Sequence, residues 1–400
     1  MKTLFSNRVY LLVTASDLLQ NIGTWIRNIA LLFFVLEKSN NDPVAVSMLT
    51  VIEYFPIFAV ALVGGALVDR WNPKKTMIIA DLLSIVSILL IIGVLDLGFW
   101  PAIYIATFVS TIITQFSQPS SIKLIKRYVE PQHVGAAVGL TQSMNSIFMI
   151  VGPVIGTAIY VNFGLKVSLY SLLILFALSA SFLSFLPKQT REEKKENSSV
   201  LKEIKEGMIY LRQNRILVVI AVWFAIDGLS WGLIQPLDVF ILTERLQLPK
   251  ENLQWFSMLY GVGMLAGGLI AASIGNRFET RKIFTVVIIV TATGVLVQAL
   301  STYVWLTASF HLLVGLFYTV LQVLLNMLFI KSVQDEYVGR VNGVMVPVFI
   351  GFMLIGTFCS GFLKEATSLI FVYGTSSFVL LLTLPIIARL KPKHLSKMKQ

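Results

Sequence analysis

The chain has 400 residues, of which 56% are hydrophobic and 13% charged, with a formal net charge of +11 and a mean hydropathy of +0.80. A water-soluble globular domain carries roughly a quarter charged residues, so this chain cannot cover its apolar area in water and must use lipid as its solvent. One cysteine, Cys359, excludes an intrachain disulfide, and positive charges that fall between apolar runs rather than on one face argue against nucleic-acid binding.

Met1 to Arg8 is short and basic, and no small-residue cleavage site follows it, so the first span is expected to stay and to start on the cytosolic side. Apolar stretches of about 20 residues, enough to cross a bilayer, predict twelve membrane helices. They lie near 9–36, 45–68, 76–96, 101–119, 134–161, 166–187, 216–243, 253–274, 281–300, 303–329, 339–362 and 368–388. The expected fold class is therefore an all-α membrane protein, with both termini on one side. With both termini cytosolic, 26 Lys and Arg fall in inner segments and 5 in outer loops, and Arg27 lies inside a span. That bias predicts a multi-pass protein of the cell (cytoplasmic) membrane with cytosolic ends.

The longest polar stretch divides the spans six and six. It opens with the charge run Lys188 to Ser199; Leu201, Ile204, Met208 and Leu211 then recur at helical spacing, predicting a short amphipathic helix on the inner face. The expected organisation is a six-helix bundle over 1–187, a cytosolic linker over 188–215, and a second bundle with its tail over 216–400. The halves echo each other. Asn7-Arg8 matches Asn214-Arg215, Gly64-Gly65 matches Gly267-Gly268, and Gly139 and Gly152 match Gly343 and Gly356, at offsets of 203 to 207 residues. Such constancy predicts two pseudo-symmetric copies with a substrate site near the membrane midplane between them.

Between spans 2 and 3 the chain reads Gly64-Gly65-Ala66-Leu67-Val68-Asp69-Arg70-Trp71-Asn72-Pro73-Lys74-Lys75, with Asp81 following. This resembles the cytosolic loop signature of the major facilitator superfamily. The resemblance implies that Gly65, Asp69, Arg70, Lys74, Lys75 and Asp81 form a conformational latch between the halves. Asn72-Pro73 stands where the family usually has a glycine turn. Span 5 carries Gly152-Pro153-Val154-Ile155-Gly156, similar to the superfamily's antiporter motif, whose alternative reading is ordinary small-residue packing. With Gln118-Pro119, Lys126-Arg127-Tyr128-Val129, Ala136-Ala137-Val138-Gly139-Leu140 and Val338-Gly339-Arg340-Val341-Asn342-Gly343, the chain resembles the macrolide-efflux-like branch. Many proton-driven exporters carry an arginine in helix 4. Span 4 here, Ala102 to Pro119, holds no charge, so proton coupling cannot be taken from that motif.

An ionisable side chain at mid-bilayer costs about 2.5–3.5 kcal/mol on insertion scales, so each needs a reason. Asp17, Arg27, Glu53, Asp227 and His311 lie within spans. Arg27 and Glu53 fall at similar depths on antiparallel neighbours, about 13 and about 12 Å from the outer side, which predicts an ion pair facing the central substrate cavity or, in the alternative, a structural pair that lets two charges be buried. Asp17 and Asp227 sit on related helices without a basic residue at their own depth. They are candidates for carrying a coupled proton or meeting a cationic substrate, or else are hydrogen-bonded structural carboxylates helped by Asn21 or Ser230. Asp238 is expected near the outer mouth, in solvent, and His311 is expected to pack. Of the aromatics on helices 1 and 7, which include Phe33, Trp223 and Phe224, Trp25 and Trp231 sit at equivalent heights in the two halves and are the expected cavity residues. Gly261 and Gly263 with Gly267-Gly268 imitate a nucleotide fingerprint but lie within a span, as a packing face. No metal cluster and no Walker loop occur in the sequence.

The function the resemblance implies is secondary active export of small amphiphilic organic compounds of the macrolide or multidrug kind, by antiport against H+, or else Na+, with alternating access. The driving force is the proton motive force, with no cofactor, no ATP, no nucleic acid and no enzymatic activity; the expected state is a monomer in the lipid bilayer. The alternatives are an exporter or flippase of a lipid-like molecule or siderophore on the same fold, and, in another class, a membrane sensor or scaffold without transport.

Overall fold

The computed structural model describes residues 4, 6–68, 71–187, 200–274 and 280–388. These form helices α1 (Arg8–Lys38), α2 (Pro43–Val68), α3 (Pro73–Asp96), α4 (Ala102–Thr114), α5 (Ser117–Tyr128), α6 (Pro131–Ser184), α7 (Val200–Gln213) and α8 (Arg215–Ile234). They continue with α9 (Leu253–Ile274), α10 (Thr280–Leu300), α11 (Val304–Ser332), α12 (Asp335–Ala366), α13 (Leu369–Leu381) and α14 (Thr383–Ala388). No strand occurs among the described residues. Lipid leaves backbone groups no outside partner, so the helix, which satisfies its own, is what these apolar runs adopt.

Ten helical segments among the described residues are long and apolar enough to cross a membrane. The 54-residue α6 holds two of the predicted spans, because Gly164 (φ 74°, ψ −178°) interrupts it. Only glycine enters that region without steric cost. A further predicted span, 101–119, is broken at Gln115 and Phe116 into α4 and α5. At 13 residues, about 20 Å, α4 is too short to cross unaided. With these the count reaches the twelve spans expected.

Contacts divide the chain into two compact units: Met1–Asn41 with Ile52–Ser198, and Asp42–Val51 with Ser199–Gln400. Each is stitched in the same way. In the first, Asn7 caps α1, its Oδ1 accepting from the amides of Val9 and Tyr10, while its Nδ2 donates to the carbonyl of Tyr128 at the end of α5. In the second, Asn214 caps α8 through Ile216, and its Nδ2 donates to the carbonyl of Ser332 at the end of α11. The Ser16 and Ser179 hydroxyls bond at 2.7 Å between α1 and the second half of α6. The Ser230 and Ser376 hydroxyls bond at 2.7 Å between α8 and α13.

Helix α7 is the amphipathic helix expected in the linker, and it docks on the second unit. Leu211 joins that unit's core with Ile204 and Met208 against it. Glu206 pairs with Arg340 at 3.2 Å, and the rings of Tyr210 and Tyr337 stack at 4.3 Å. Leu201's side chain and the charge run 188–199 lie outside the described residues.

Candidate functional site

In the first unit, α1 presents Asp17, Asn21, Thr24 and Asn28 at alternating steps of four and three residues, so that they share one face of the helix. At its upper end the buried Arg27 donates from Nη1 to Ser110 of α4 at 2.8 Å and from Nε to Asn28 Oδ1 at 3.2 Å. Asn28 Nδ2 in turn donates to Glu53 Oε1 of α2 at 2.5 Å. Arg27 and Glu53 are thus brought together within electrostatic range, and the link between them runs through the Asn28 amide.

About three turns below, Ser121 of α5 donates to Asp17 Oδ2 at 2.5 Å, and Asn21 donates to the backbone carbonyl of Asp17 rather than to its carboxylate. Asp81 belongs to this neighbourhood. Gln20 donates to its Oδ1 at 2.8 Å and Ser179 to its Oδ2 at 2.6 Å, and Asp81 is 2% exposed. The loop signature continues two turns into α3 before reaching Asp81, which turns the carboxylate into the unit's interior and away from the loop itself.

The rest of the loop signature is placed in part. Asp69 and Arg70 lie outside the described residues; Gly65 is within α2. Asn72 caps α3, its Oδ1 accepting from the Lys75 amide at 3.1 Å, with Pro73 at the first helical position where no donor is needed. Lys74 Nζ donates to the carbonyl of Ser184 at 2.9 Å and to that of Leu186, so this cation caps the free carbonyls at the end of α6. Lys75 is exposed. In α6, a Cβ on Gly152 would overlap the Trp25 ring, and one on Gly156 would come within 2.9 Å of the Trp25 carbonyl. Pro153 is buried between them. This face is where α1 seats itself on α6.

In the second unit, Asp227 of α8 is 2% exposed. The Tyr318 hydroxyl and the Gln322 amide, both from α11, reach its Oδ2 at 3.2 Å each. Gln322 also donates to Tyr318 Oη at 2.8 Å. Ser230, proposed from sequence as a helper, bonds instead to Ser376. Trp231, one turn on from Asp227, stacks on Tyr318 at 5.6 Å and lies 5.8 Å from the ring of Tyr260 of α9. Helix α8 then loosens at Gln235–Leu237 around Pro236 and passes through a π turn over Ile241–Arg245. Beyond the break, the Tyr373 hydroxyl of α13, fully buried, donates to Asp238 Oδ1 at 2.7 Å. Asp238 is therefore anchored rather than free in solvent.

Trp25 and Trp231 are both half-buried, whereas Trp223 and Phe33 are core residues at 1% and 0% exposure. His311 packs edge-on against Phe256 at 5.1 Å and is buried. Gly263 and Gly267 lie against the carbonyls of Leu312 and Leu316 in α11, a helix contact and not a phosphate cradle. Among the described residues no group of three His, Cys, Asp or Glu side chains could hold a metal ion. Asn28, Gln20, Ser121, Ser179, Tyr260, Tyr318 and Gln322 were missed from sequence. The only signal was polarity inside a span, and for Tyr318 and Gln322 their spacing of four.

The profile of the Major Facilitator Superfamily matches residues 15–346 and again 224–399. An uncharacterized MFS-type transporter of Bacillus subtilis, YkuC, is 23% identical over 95% of this chain and 91% of its own length. Macrolide efflux protein A of Streptococcus pyogenes is 27% identical over 88% of each chain. Among solved structures, a bacterial homologue of the iron transporter ferroportin in its inward-facing state superposes with a TM-score of 0.76 at 14% identity, covering 96% of this chain and 98% of that one. The last likeness concerns the fold alone.

Proposed function

Since the chain belongs to the Major Facilitator Superfamily and is a multi-pass membrane transporter, we propose that it exports amphiphilic organic compounds by proton antiport with alternating access. The similarity to macrolide efflux protein A supports the macrolide and multidrug branch of the superfamily as its place. The observation that carries the coupling is Asp227: a buried carboxylate inside a membrane helix whose hydrogen-bond partners, Tyr318 and Gln322, are both neutral. A carboxylate in that setting is tolerated when it exchanges a proton or meets a cation during the cycle.

Asp17, held by the neutral Ser121, is the counterpart on the equivalent helix, with Asp81 as its neighbour. Arg27 and Glu53 hold the upper half of α1 in register, and Trp25 and Trp231 contact the substrate. The loop from Gly65 to Lys75 acts as latch, and Gly152, Pro153 and Gly156 form the antiporter-type face. The proposed organisation is two six-helix bundles, 1–187 and 216–400, joined by 188–215, with both termini cytosolic in the cell membrane.

Dye-reported proton movement in everted membrane vesicles tests this reading, with a substrate panel added to native protein and to Asp17→Asn and Asp227→Asn. Proton release on adding one compound class, lost in either variant, is the expected result. Substrate flux without a proton signal would remove proton antiport and leave sodium coupling or facilitated flipping.

A further inference from the structure

The neighbourhood of Asp227 holds more acceptors than donors. Its two bonds both fall on Oδ2, leaving Oδ1 to accept from elsewhere. Next to it, the Tyr260 hydroxyl is buried with no hydrogen-bond partner, although Tyr260 lies within electrostatic range of both Asp227 and Asp238. Gln235 Oε1, one turn beyond Trp231 on the face that carries Asp227, is likewise buried without a partner. Buried polar atoms are nearly always satisfied, and clustered exceptions mark places where something else is bound. The three rings here, Tyr260, Trp231 and Tyr318, are packed side by side and only partly buried. Their faces attract a cation, and their carbon surface accepts an apolar body.

We propose that this cluster binds a protonated organic amine carrying at least two N–H bonds. The Asp227 carboxylate supplies the opposite charge. One N–H goes to Asp227 Oδ1 and another to the Tyr260 oxygen, while the substrate's apolar part lies along the Trp231 ring. A quaternary ammonium satisfies the charge and the rings and leaves the acceptors dry, so it binds less well. A neutral alcohol of the same shape offers no charge and a single donor, so it ranks last. The inference rests on the transport reading in taking Asp227 as substrate-facing, but it concerns binding and is measured without flux.

The test is calorimetric titration of the purified full chain in lipid nanodiscs, with empty nanodiscs correcting for partition into lipid. The probes are 4-phenylbutylammonium, its N,N,N-trimethyl analogue and 4-phenylbutanol. The primary amine should bind native protein at least about tenfold more tightly than the quaternary analogue, which forgoes two charge-assisted hydrogen bonds. Asp227→Asn should weaken the primary amine by tenfold or more. Tyr260→Phe keeps the ring and should narrow the preference for primary over quaternary at least threefold, leaving the quaternary affinity unchanged; this comparison decides alone where Asp227→Asn does not fold.

Equal or tighter binding of the quaternary probe, equal binding of the alcohol, binding of none of the three, or a preference untouched by Tyr260→Phe would overturn the amine site. The two readings fail separately. Amine binding without proton movement in vesicles removes antiport and leaves the site standing. Proton-coupled flux of other compounds with no preference for the primary amine removes the site and leaves antiport.

Discussion

Arg27 is held at both ends of its guanidinium, by Ser110 on one side and by Asn28 on the other, and only Asn28 reaches Glu53. Burying two opposite charges is repaid only when the remaining lone pairs and protons are satisfied, and the Asn28 amide supplies one bond to each of them here. Asn28→Leu keeps the branched shape and removes both bonds. It should destabilise the protein by about 1–3 kcal/mol, read as a lower thermal midpoint in detergent, whereas the exposed Asn162→Ala should stay within about 0.5 kcal/mol. An unchanged midpoint in Asn28→Leu would show that Arg27 and Glu53 neutralise each other without the bridge. The sequence placed Arg27 and Glu53 at the same depth because residue count measures height along a helix. It gave no means of finding Asn28 as the link, or Ser121 and Tyr318 as partners of the two aspartates. Those depend on how each helix is rotated against its neighbour, which the polar positions of one helix taken alone do not show.

Between helices, the contact of α1 with α6 depends on Gly152 and Gly156 admitting Trp25. Gly152→Ala forces a methyl group into the indole and should cost about 1–3 kcal/mol as overpacking. Trp25→Ala in the same chain should recover most of that loss, giving a coupling energy well above the few tenths expected of independent sites. Additive effects in this cycle would mean that the two residues do not meet. The asparagine caps make a second pair of expectations. Asn7→Ala and Asn214→Ala should each cost about 1–2 kcal/mol, with faster hydrogen exchange in the first turn of α1 or of α8 and at the end of the helix each amide ties down. Effects confined to the capped turn would show that the side-chain amide links to Tyr128 and Ser332 carry nothing. The repeat of Asn-Arg before two spans was readable from sequence. The 101–119 span was read from sequence as one membrane crossing, although Pro119, which has no N–H for the Gln115 carbonyl four residues earlier and whose ring crowds it, marks the break.

For the whole molecule, the bias of Lys and Arg toward one set of loops sets an orientation that chemical labelling can check. In a Cys359→Ser background, Lys166→Cys should react with an impermeant maleimide added to intact cells, and Lys202→Cys only after the membrane is opened. The reverse pattern would put the termini outside. Lys166 pairs with Asp96 at 2.6 Å, but both are exposed, so losing that pair should cost little. The serine pairs, Ser16 with Ser179 and Ser230 with Ser376, have a consequence for how the chain is made. Each joins the first membrane helix of a unit to its last, so no unit can close until its final span has left the ribosome. The first unit can finish while the linker is still being synthesised. At ordinary elongation rates α1 waits about 8–33 s for Ser179, 163 residues on, and α8 about 7–29 s for Ser376, 146 residues on and near the end of the message. Helices α1 and α8, each carrying a carboxylate, are therefore the segments that most need an insertase or a lipid partner during biogenesis, and the longer wait falls on α1.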